Sequence, residues 1–212
     1  MRRNLILGLA IAAAPLAFGS AAWATPTLTL TLSETGYTSE VVTSTTGNVN
    51  VTAQSFGTFT INTISGLGSP IIGAPGQPAI DLTSVNVSSS TPGILKVTLA
   101  ESGLTSPVGP NSVYSSIGGT LGSHQTLDYA FSVNGSTIGS ASFTNPGASF
   151  GTDLGGHATF TGNDTLSQVV TLASTGTGVT SYDAYAAVPE PASMALLGSG
   201  LFGLGLTRRR RA

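Results

Sequence analysis

Residues 27–32, Thr27-Leu28-Thr29-Leu30-Thr31-Leu32, alternate strictly between threonine and leucine. Successive side chains of a β-strand point to opposite faces of a sheet, so this stretch predicts a strand with three leucines buried and three threonines toward water. No segment between residues 25 and 187 shows the 3.6-residue apolar period of an amphipathic helix. The chain is therefore predicted to be all-β.

A β-hairpin is predicted around Asn134-Gly135. These two residues separate the strand-like runs 127–133 and 136–143. Asn-Gly readily adopts positive φ at both central positions of a type I′ turn, which is the turn that suits two paired antiparallel strands.

Further strand-like runs follow the same alternation. They are residues 56–64, 81–87, 94–99, 168–172 and 181–187. Roughly eight to eleven short strands joined by polar turns favour a β-sandwich, either Ig-like or a jelly roll, over a barrel. The turn Thr91-Pro92-Gly93 and a projecting Pro/Gly-rich loop over residues 66–78 fit that prediction, and the lack of a fixed-period repeat argues against a β-helix or propeller.

The body, residues 25–187, is rich in Ser, Thr, Gly and Asn and contains no cysteine. This composition is also typical of low-complexity disorder, but the period-2 spacing of its apolar residues favours a folded domain. Without disulfides, the fold must be stabilised by the burial of β-branched and aromatic side chains.

Charge excludes one class of partner. Six of the seven basic residues lie in the two termini, which leaves Lys96 alone in the body. Eight acidic residues against that one lysine give residues 25–187 a net charge near −7. Nucleic-acid binding requires lysine and arginine to displace counterions, so it is excluded.

The N-terminus has the pattern of a signal peptide. Arg2-Arg3 precedes an apolar run over residues 5–18, and Ala22-Trp23-Ala24 forms an A-x-A cleavage site before Thr25. We expect residues 1–24 to direct export through the Sec translocon and to be removed. The alternative is an N-terminal anchor that is retained.

The C-terminus has three parts in a fixed order. Val188-Pro189-Glu190-Pro191-Ala192-Ser193 precedes the apolar run 194–206, and Arg208-Arg209-Arg210-Arg211 follows it. Prolines keep the first part extended, where a processing enzyme could bind it. The 13-residue run spans about 20 Å as a helix, which is shorter than the roughly 30 Å hydrocarbon core. Counted outward to residues 191–207, it makes a marginal span of 17 residues that arginine snorkelling and local thinning of the bilayer can accommodate. The arginines should stay cytoplasmic.

This arrangement resembles the PEP-CTERM sorting signal. In that family, exosortase, an integral membrane enzyme like a cysteine transpeptidase, processes the protein at or near Pro-Glu-Pro. The family occurs in Gram-negative bacteria that make exopolysaccharide and biofilm. The resemblance implies that residues 188–212 are a sorting signal with a transient inner-membrane helix. Together with the signal peptide (1–24) and the β-sandwich body (25–187), it divides the chain into three regions. An ordinary tail anchor is the alternative.

Sequence motifs for catalysis are absent, and no cofactor is expected. The sequence lacks a G-x-S-x-G elbow, an H-E-x-x-H pair and a P-loop. His124 and Asp128, if both lie on one strand, are about 13 Å apart, too far to pair. Residues 151–157 are interpreted as a glycine-rich loop that ends in His157.

One metal site is conceivable. Oxygen atoms of Asp153, Asn163 and Asp164 could bind calcium, because hard cations favour such ligands. Their spacing does not match an EF-hand loop, and ordinary turn chemistry is the competing explanation.

If several of the five tyrosines face one concave sheet, they could form a sugar-binding platform, since aromatic faces stack on sugar C–H surfaces. They are Tyr37, Tyr114, Tyr129, Tyr182 and Tyr185. The competing interpretation is that Tyr129, between Leu127 and Phe131, continues the buried face of a strand.

These observations predict an exported, non-catalytic protein of the cell surface or extracellular matrix that is processed by exosortase. The first alternative is a module that binds exopolysaccharide. The second is a secreted hydrolase whose site, in a water-excluding cleft, contains His124 or His157.

Overall fold

The computed structural model describes residues 25–74, 76–106 and 108–189 of the 212-residue chain. The signal-peptide residues Ala22 and Ala24 and everything from Glu190 onward lie outside these ranges. In the described part, no helix is long and apolar enough to cross a membrane.

The described residues form twelve strands and two six-stranded antiparallel sheets. The strands are β1 (Thr27–Glu34), β2 (Glu40–Ser44), β3 (Asn48–Phe56), β4 (Phe59–Leu67), β5 (Ala79–Ser89), β6 (Gly93–Leu104), β7 (Gly109–Thr120), β8 (Gln125–Val133), β9 (Ser136–Phe143), β10 (Ser149–Phe160), β11 (Asp164–Ser174) and β12 (Gly178–Ala187). Sheet A has the order β2-β1-β6-β11-β8-β9, and sheet B has the order β10-β7-β12-β5-β4-β3. The prediction of an all-β sandwich is confirmed.

The strand order identifies the sandwich as a jelly roll. Among strands β5 to β12, the first strand pairs with the last, the second with the second-last, and so on. The resulting pairs are β5·β12, β6·β11, β7·β10 and β8·β9. These pairs are distributed alternately between the two sheets and joined by β7·β12 and β8·β11. Strands β1 and β2 widen sheet A beside β6, and β3 and β4 widen sheet B beside β5.

The alternation at residues 27–32 produces the predicted burial. Leu28, Leu30 and Leu32 are at most 1% exposed, whereas the threonines between them are partly exposed. The inner faces of both sheets meet in one core, in which Phe59, Tyr129, Phe131 and Phe160 are the largest fully buried side chains. Because β12 is central in sheet B and its inner face belongs to this core, the body is folded up to its last residues.

The predicted hairpin is also confirmed. Strands β8 and β9 pair through Asn134 and Gly135, whose φ angles are 50° and 78°. Both values are positive, as a type I′ turn requires.

Several predicted boundaries are wrong. Residues 56–64 are not one strand, because Phe56 ends β3 and Phe59 begins β4 after a two-residue turn. The described residues contain more strands than the roughly eight to eleven predicted. The stretch 151–157 is not a loop but the middle of β10, which pairs with β7 along its whole length. His124 precedes β8 with φ of 61°, so it does not share a strand with Asp128.

Candidate functional site

The sorting segment begins where the folded body ends. Val188 directly follows β12 and is 1% exposed, and its backbone N–H donates a hydrogen bond to the carbonyl oxygen of Pro78 at 3.0 Å. Pro189 is exposed. The remaining residues predicted for processing and for stopping in the membrane lie outside the described residues. They are Glu190, Pro191, Ala192, Ser193, Arg208, Arg209, Arg210 and Arg211.

The mature N-terminus predicted from the signal peptide lies at the same end of the sandwich. Exposed Thr25 borders a cleft of about 340 Å³. The cleft is lined by Thr25, Pro26, Thr45, Ser69, Pro70, Gly73, Ala74, Pro78, Leu104 and Thr105. Pro78 belongs to this lining and also accepts the Val188 hydrogen bond, so both ends of the body meet beside the loop between β4 and β5.

A buried carboxyl group lies beneath this loop. Glu101 is 0% exposed, and its Oε1 accepts a hydrogen bond from the Ser69 backbone N–H at 2.7 Å, while Oε2 has no hydrogen-bond partner. Burial raises its pKa to about 7, and the Ser69 hydrogen bond offsets only part of that effect. Gly68 allows the close approach, since a Cβ there would lie 2.7 Å from Oε2.

Sequence reasoning missed Glu101, although β6 carries a signal for it. Leu95, Val97 and Leu99 occupy alternate positions on the buried face of the strand, and Glu101 is next in that series. A carboxyl at the fourth position of an apolar face is a buried charge that requires a partner.

The conceivable calcium ligands do not come together. Asp153 is exposed on β10 of sheet B, whereas Asp164 begins β11 of sheet A and is 1% exposed. The Asp164 carboxylate accepts hydrogen bonds from Ser106 Oγ, Asn134 Nδ2, Thr161 N, Thr161 Oγ1 and Gly162 N. Burial alone would raise its pKa, but these hydrogen bonds outweigh burial and lower the pKa to about 2.

Asp164 is thus the centre of a hydrogen-bonded turn that joins the β10–β11 connection to the β8–β9 hairpin. Asn163 contributes its backbone carbonyl to that turn, as an acceptor for Thr161 Oγ1 at 3.5 Å. Within residues 25–74, 76–106 and 108–189, no cluster of three or more His, Asp or Glu side chains could hold a metal ion.

Neither histidine lies in a cleft. His124 is exposed in the turn before β8, and His157 is exposed on the outer face of β10. The arrangement required for the hydrolase alternative, a water-excluding cleft around one of these histidines, is not present in the described part of the chain.

The tyrosines divide into two groups. Tyr129 and Tyr182 are buried in the core, at 1% and 3% exposure, so neither ring can belong to a surface platform. Burial raises the pKa of Tyr129 to about 12, although the Ser115 hydroxyl is hydrogen-bonded to its phenol. Tyr37 is exposed on the β1–β2 connection, away from the others.

Tyr114 and Tyr185 form a pair on the outer face of sheet B. Their ring centroids are 5.7 Å apart, with the planes tilted by 53°. Tyr185 lies opposite Asp81 on one neighbouring strand and Ser116 on the other. The pKa of Tyr185 is raised by burial and by the nearby Tyr114 and Asp81, and that of Asp81 is raised by burial and by Asp183.

A polar groove of about 400 Å³ adjoins this pair on the same sheet. Its lining is Thr63, Ser84, Val85, Asn86, Gly118, Gly119, Thr120, Ser181, Tyr182 and Asp183. Asn86 Nδ2 donates to Ser181 Oγ at 2.6 Å, and Asp183 accepts a hydrogen bond from the Ser84 backbone N–H at 2.5 Å. We name the groove together with Tyr114 and Tyr185 the outer groove. It offers aromatic surface, hydroxyls, an amide and a carboxylate on one face.

Comparison with known families supports the identity of the tail. Residues 187–211 match the family description "PEP-CTERM protein-sorting motif". The chain therefore carries the sorting signal of an exported protein with a C-terminal membrane-anchoring region. The match covers the tail and describes nothing of the body, and no curated protein matches the sequence.

Solved structures similar to the body are distant. A family 61 carbohydrate-binding module in complex with β-1,4-galactotriose is 10% identical over 76% of this chain and 88% of that chain, with a TM-score of 0.36. A family 36 module of a xylanase from the hindgut metagenome of Trinervitermes trinervoides is 12% identical over 68% and 98%, with a TM-score of 0.27. The PA14 sugar-binding domain of an RTX adhesin is 15% identical over 76% and 90%, with a TM-score of 0.30. At these values the likeness carries no inference about ligand or activity.

Proposed function

We propose that this chain is a non-catalytic protein of the cell surface or extracellular matrix, in the setting of exopolysaccharide or biofilm, released to its site by exosortase. One observation supports it above all: the buried residues of the body end at Val188, and the exposed Pro189 of the processing motif follows at once. Cleavage after Pro189 would therefore leave every buried residue of the described part in the body. Export by Sec and transient anchoring in the inner membrane belong to the same proposal.

Replacement of Pro189-Glu190-Pro191 by Ala-Ala-Ala tests the proposal. We expect the variant to be exported, to lose its signal peptide and to accumulate uncut in the inner membrane. The control is replacement of Thr144-Asn145-Pro146, in the connection between β9 and β10, by alanines, which should leave processing intact. An Ala-Ala-Ala variant that reaches the surface at the normal mass would show that exosortase does not process the chain there.

A second candidate function is carbohydrate binding by the outer groove. The observation that favours it is the tilted Tyr114–Tyr185 pair beside a groove lined with Asn86, Ser181 and Asp183. Sugar C–H faces stack on aromatic rings, and amides, hydroxyls and carboxylates bind sugar hydroxyls. Asp81 and Asp183 would disfavour an anionic polymer, so the ligand class is a neutral or amino-sugar polysaccharide.

Affinity electrophoresis in gels that contain a neutral glucan, a chitosan or an anionic alginate tests this candidate. We expect retardation by one of the first two and none by alginate. Tyr114→Ala and Tyr185→Ala should abolish the retardation, while Tyr37→Ala, an exposed tyrosine outside the groove, should keep it. Equal retardation of all three variants would exclude the outer groove as the binding site.

A further inference from the structure

The N-terminus and the C-terminus of the body lie at the same end of the sandwich. The twelve strands run alternately up and down, so β1 begins at the end where β12 finishes. Five connections lie at that end, and their described residues are 45–47, 68–74 with 76–78, 105–106 with 108, 134–135 and 161–163. We name these connections, with Thr25 and Val188, the motif end. The opposite connections form the far end.

The tether between the motif end and the apolar segment is short. Val188 is fixed to the body by burial and by its hydrogen bond to Pro78, and Met194 begins the apolar run. The six residue steps between them span at most about 20 Å when fully extended. A ten-residue strand such as β12 is about 33 Å long. An anchored chain therefore cannot turn its far end toward the bilayer.

The motif end is suited to a position beside lipid. Its five connections contain no Asp, Glu, Lys, Arg or His. The carboxyl groups nearest to this end, those of Glu101 and Asp164, are both buried, and Asp81, three residues into β5, is half-buried. Exposed His157 lies three residues before the end of β10. The far end has an exposed histidine, His124, and in addition the partly exposed carboxyl group of Glu40. For a body with a net negative charge, the uncharged end meets an anionic leaflet with the least repulsion.

Two apolar side chains project from the motif end. Ile71 is 53% exposed on the β4–β5 connection, and Val108 is 77% exposed on the β6–β7 connection. The two connections are joined where the Gly76 N–H donates to the Thr105 carbonyl oxygen at 3.1 Å. Such side chains at the tethered end would enter the headgroup region rather than water.

We infer that the motif end is a membrane-facing surface, on which Ile71 and Val108 contact the lipid headgroup region of the inner membrane until the tail is removed. The inference rests on the proposed function in one respect, namely that the apolar segment enters the bilayer. It adds an orientation, an interaction surface and a lipid partner, and it makes that contact temporary because processing cuts the tether.

The absence of cysteine from the sequence allows a direct test. Single cysteines are introduced as Ile71→Cys and Val108→Cys, with Ile94→Cys and Val179→Cys as matched controls. The controls are 56% and 52% exposed and lie in the second positions of β6 and β12, at the far end. Each full chain from Thr25, with Pro189-Glu190-Pro191 changed to Ala-Ala-Ala, is reconstituted in phosphatidylethanolamine–phosphatidylglycerol vesicles and labelled with an environment-sensitive fluorophore.

We expect headgroup-region spin-labelled lipid to quench the fluorophore at positions 71 and 108 at least threefold more than at positions 94 and 179. Equal quenching at all four positions in vesicles that carry the protein overturns the orientation and leaves the proposed function standing. Failure of the protein to float with the vesicles overturns both the anchor and this inference. Quenching only at positions 94 and 179 would contradict the inference, because the far end would then face the membrane.

Discussion

The backbone N–H of Val188 donates a hydrogen bond to the carbonyl oxygen of Pro78 across 3.0 Å, and Val188 is also the first residue of the predicted sorting segment. The bond joins the end of a central strand to the loop that covers Glu101. At the motif end, the same loop therefore contacts the first residue of the sorting segment and the buried carboxyl group of Glu101.

The first prediction concerns where the body ends. A chain of residues 25–188 should melt within about 2 °C of a chain of residues 25–193, because Val188 is buried and Pro189, which follows it, is exposed. A chain of residues 25–186 loses the buried Val188 and the pairing of Ala187 with Ala79. We expect it to lose about 2–4 kcal/mol, or roughly 5–10 °C in melting temperature. Thermal unfolding followed by circular dichroism measures both, and equal melting temperatures for all three would contradict the boundary.

The second prediction concerns access of the processing enzyme. Insertion of Gly-Ser-Gly-Ser between Val188 and Pro189 should speed removal of the tail, because the enzyme would no longer have to bind the motif directly beside the loop that contains Pro78. Pulse-chase labelling and the ratio of uncut to cut protein measure the rate. The same insertion between Asn145 and Pro146, at the far end, is the control. A slower or unchanged rate would show that the body does not restrict processing.

The third prediction follows from Glu101. Its pKa in the folded protein is raised from 4.5 to about 7, so the folded state retains the proton more strongly than the unfolded state does. Stability should therefore be highest below about pH 4.5 and fall by roughly 3 kcal/mol as pH rises to 7, after which this contribution is constant. Glu101→Gln should remove that fall.

Urea unfolding between pH 4.5 and 8 measures the effect of Glu101. Asp128→Asn, a change at an exposed carboxylate on β8, is the control and should retain the fall. A wild-type profile that is flat over this range, or one that Glu101→Gln leaves unchanged, would contradict the buried position of this carboxyl group.

The fourth prediction tests whether Asp164 stabilises a hydrogen-bonded turn or binds a metal ion. Its lowered pKa, about 2 against 3.8, contributes about 2 kcal/mol of stability that is present above pH 3.8 and is lost as pH falls toward 2. Asp164→Asn should cost about 2–4 kcal/mol because a carboxylate that accepts five hydrogen bonds is replaced. Asp153→Asn, at an exposed position, should change stability by less than about 0.5 kcal/mol.

Calcium provides the contrasting result at the same residue. We expect millimolar Ca²⁺ to leave the melting temperature of the wild type unchanged, because the carboxylate oxygens of Asp164 are already engaged by the protein. A rise in melting temperature with Ca²⁺ that Asp164→Asn abolishes would support a calcium site instead.

Local pattern was sufficient to predict part of the fold. The alternation at residues 27–32 and the Asn134-Gly135 turn depend only on neighbouring residues, and both are confirmed. The sequence predicts a loop over residues 151–157 of β10 because Gly151, Gly155 and Gly156 have low strand propensity. Its conformation is determined by pairing with β7, and such long-range pairing leaves no mark in the local sequence.

The same limit applies to the candidate sites. Tyr114 and Tyr185 are close together because β7 pairs with β12, and these strands lie far apart in the sequence. The competing interpretation of Tyr129 as part of a buried strand face is confirmed, because it depends only on period-2 spacing. The same spacing on β6 continues to Glu101, which sequence reasoning missed. The sorting signal could be identified from the sequence because it is defined by the composition and order of its three parts, which do not depend on the fold.

The measurement that tests the central claim most directly is the intact mass of the native protein from cell-surface and medium fractions, with peptide mapping of both ends. The account predicts a chain that begins at Thr25 and ends at or near Pro189-Glu190-Pro191. A chain that still ends at Ala212 would contradict it, because the tail would then be a permanent anchor and the protein a resident of the inner membrane.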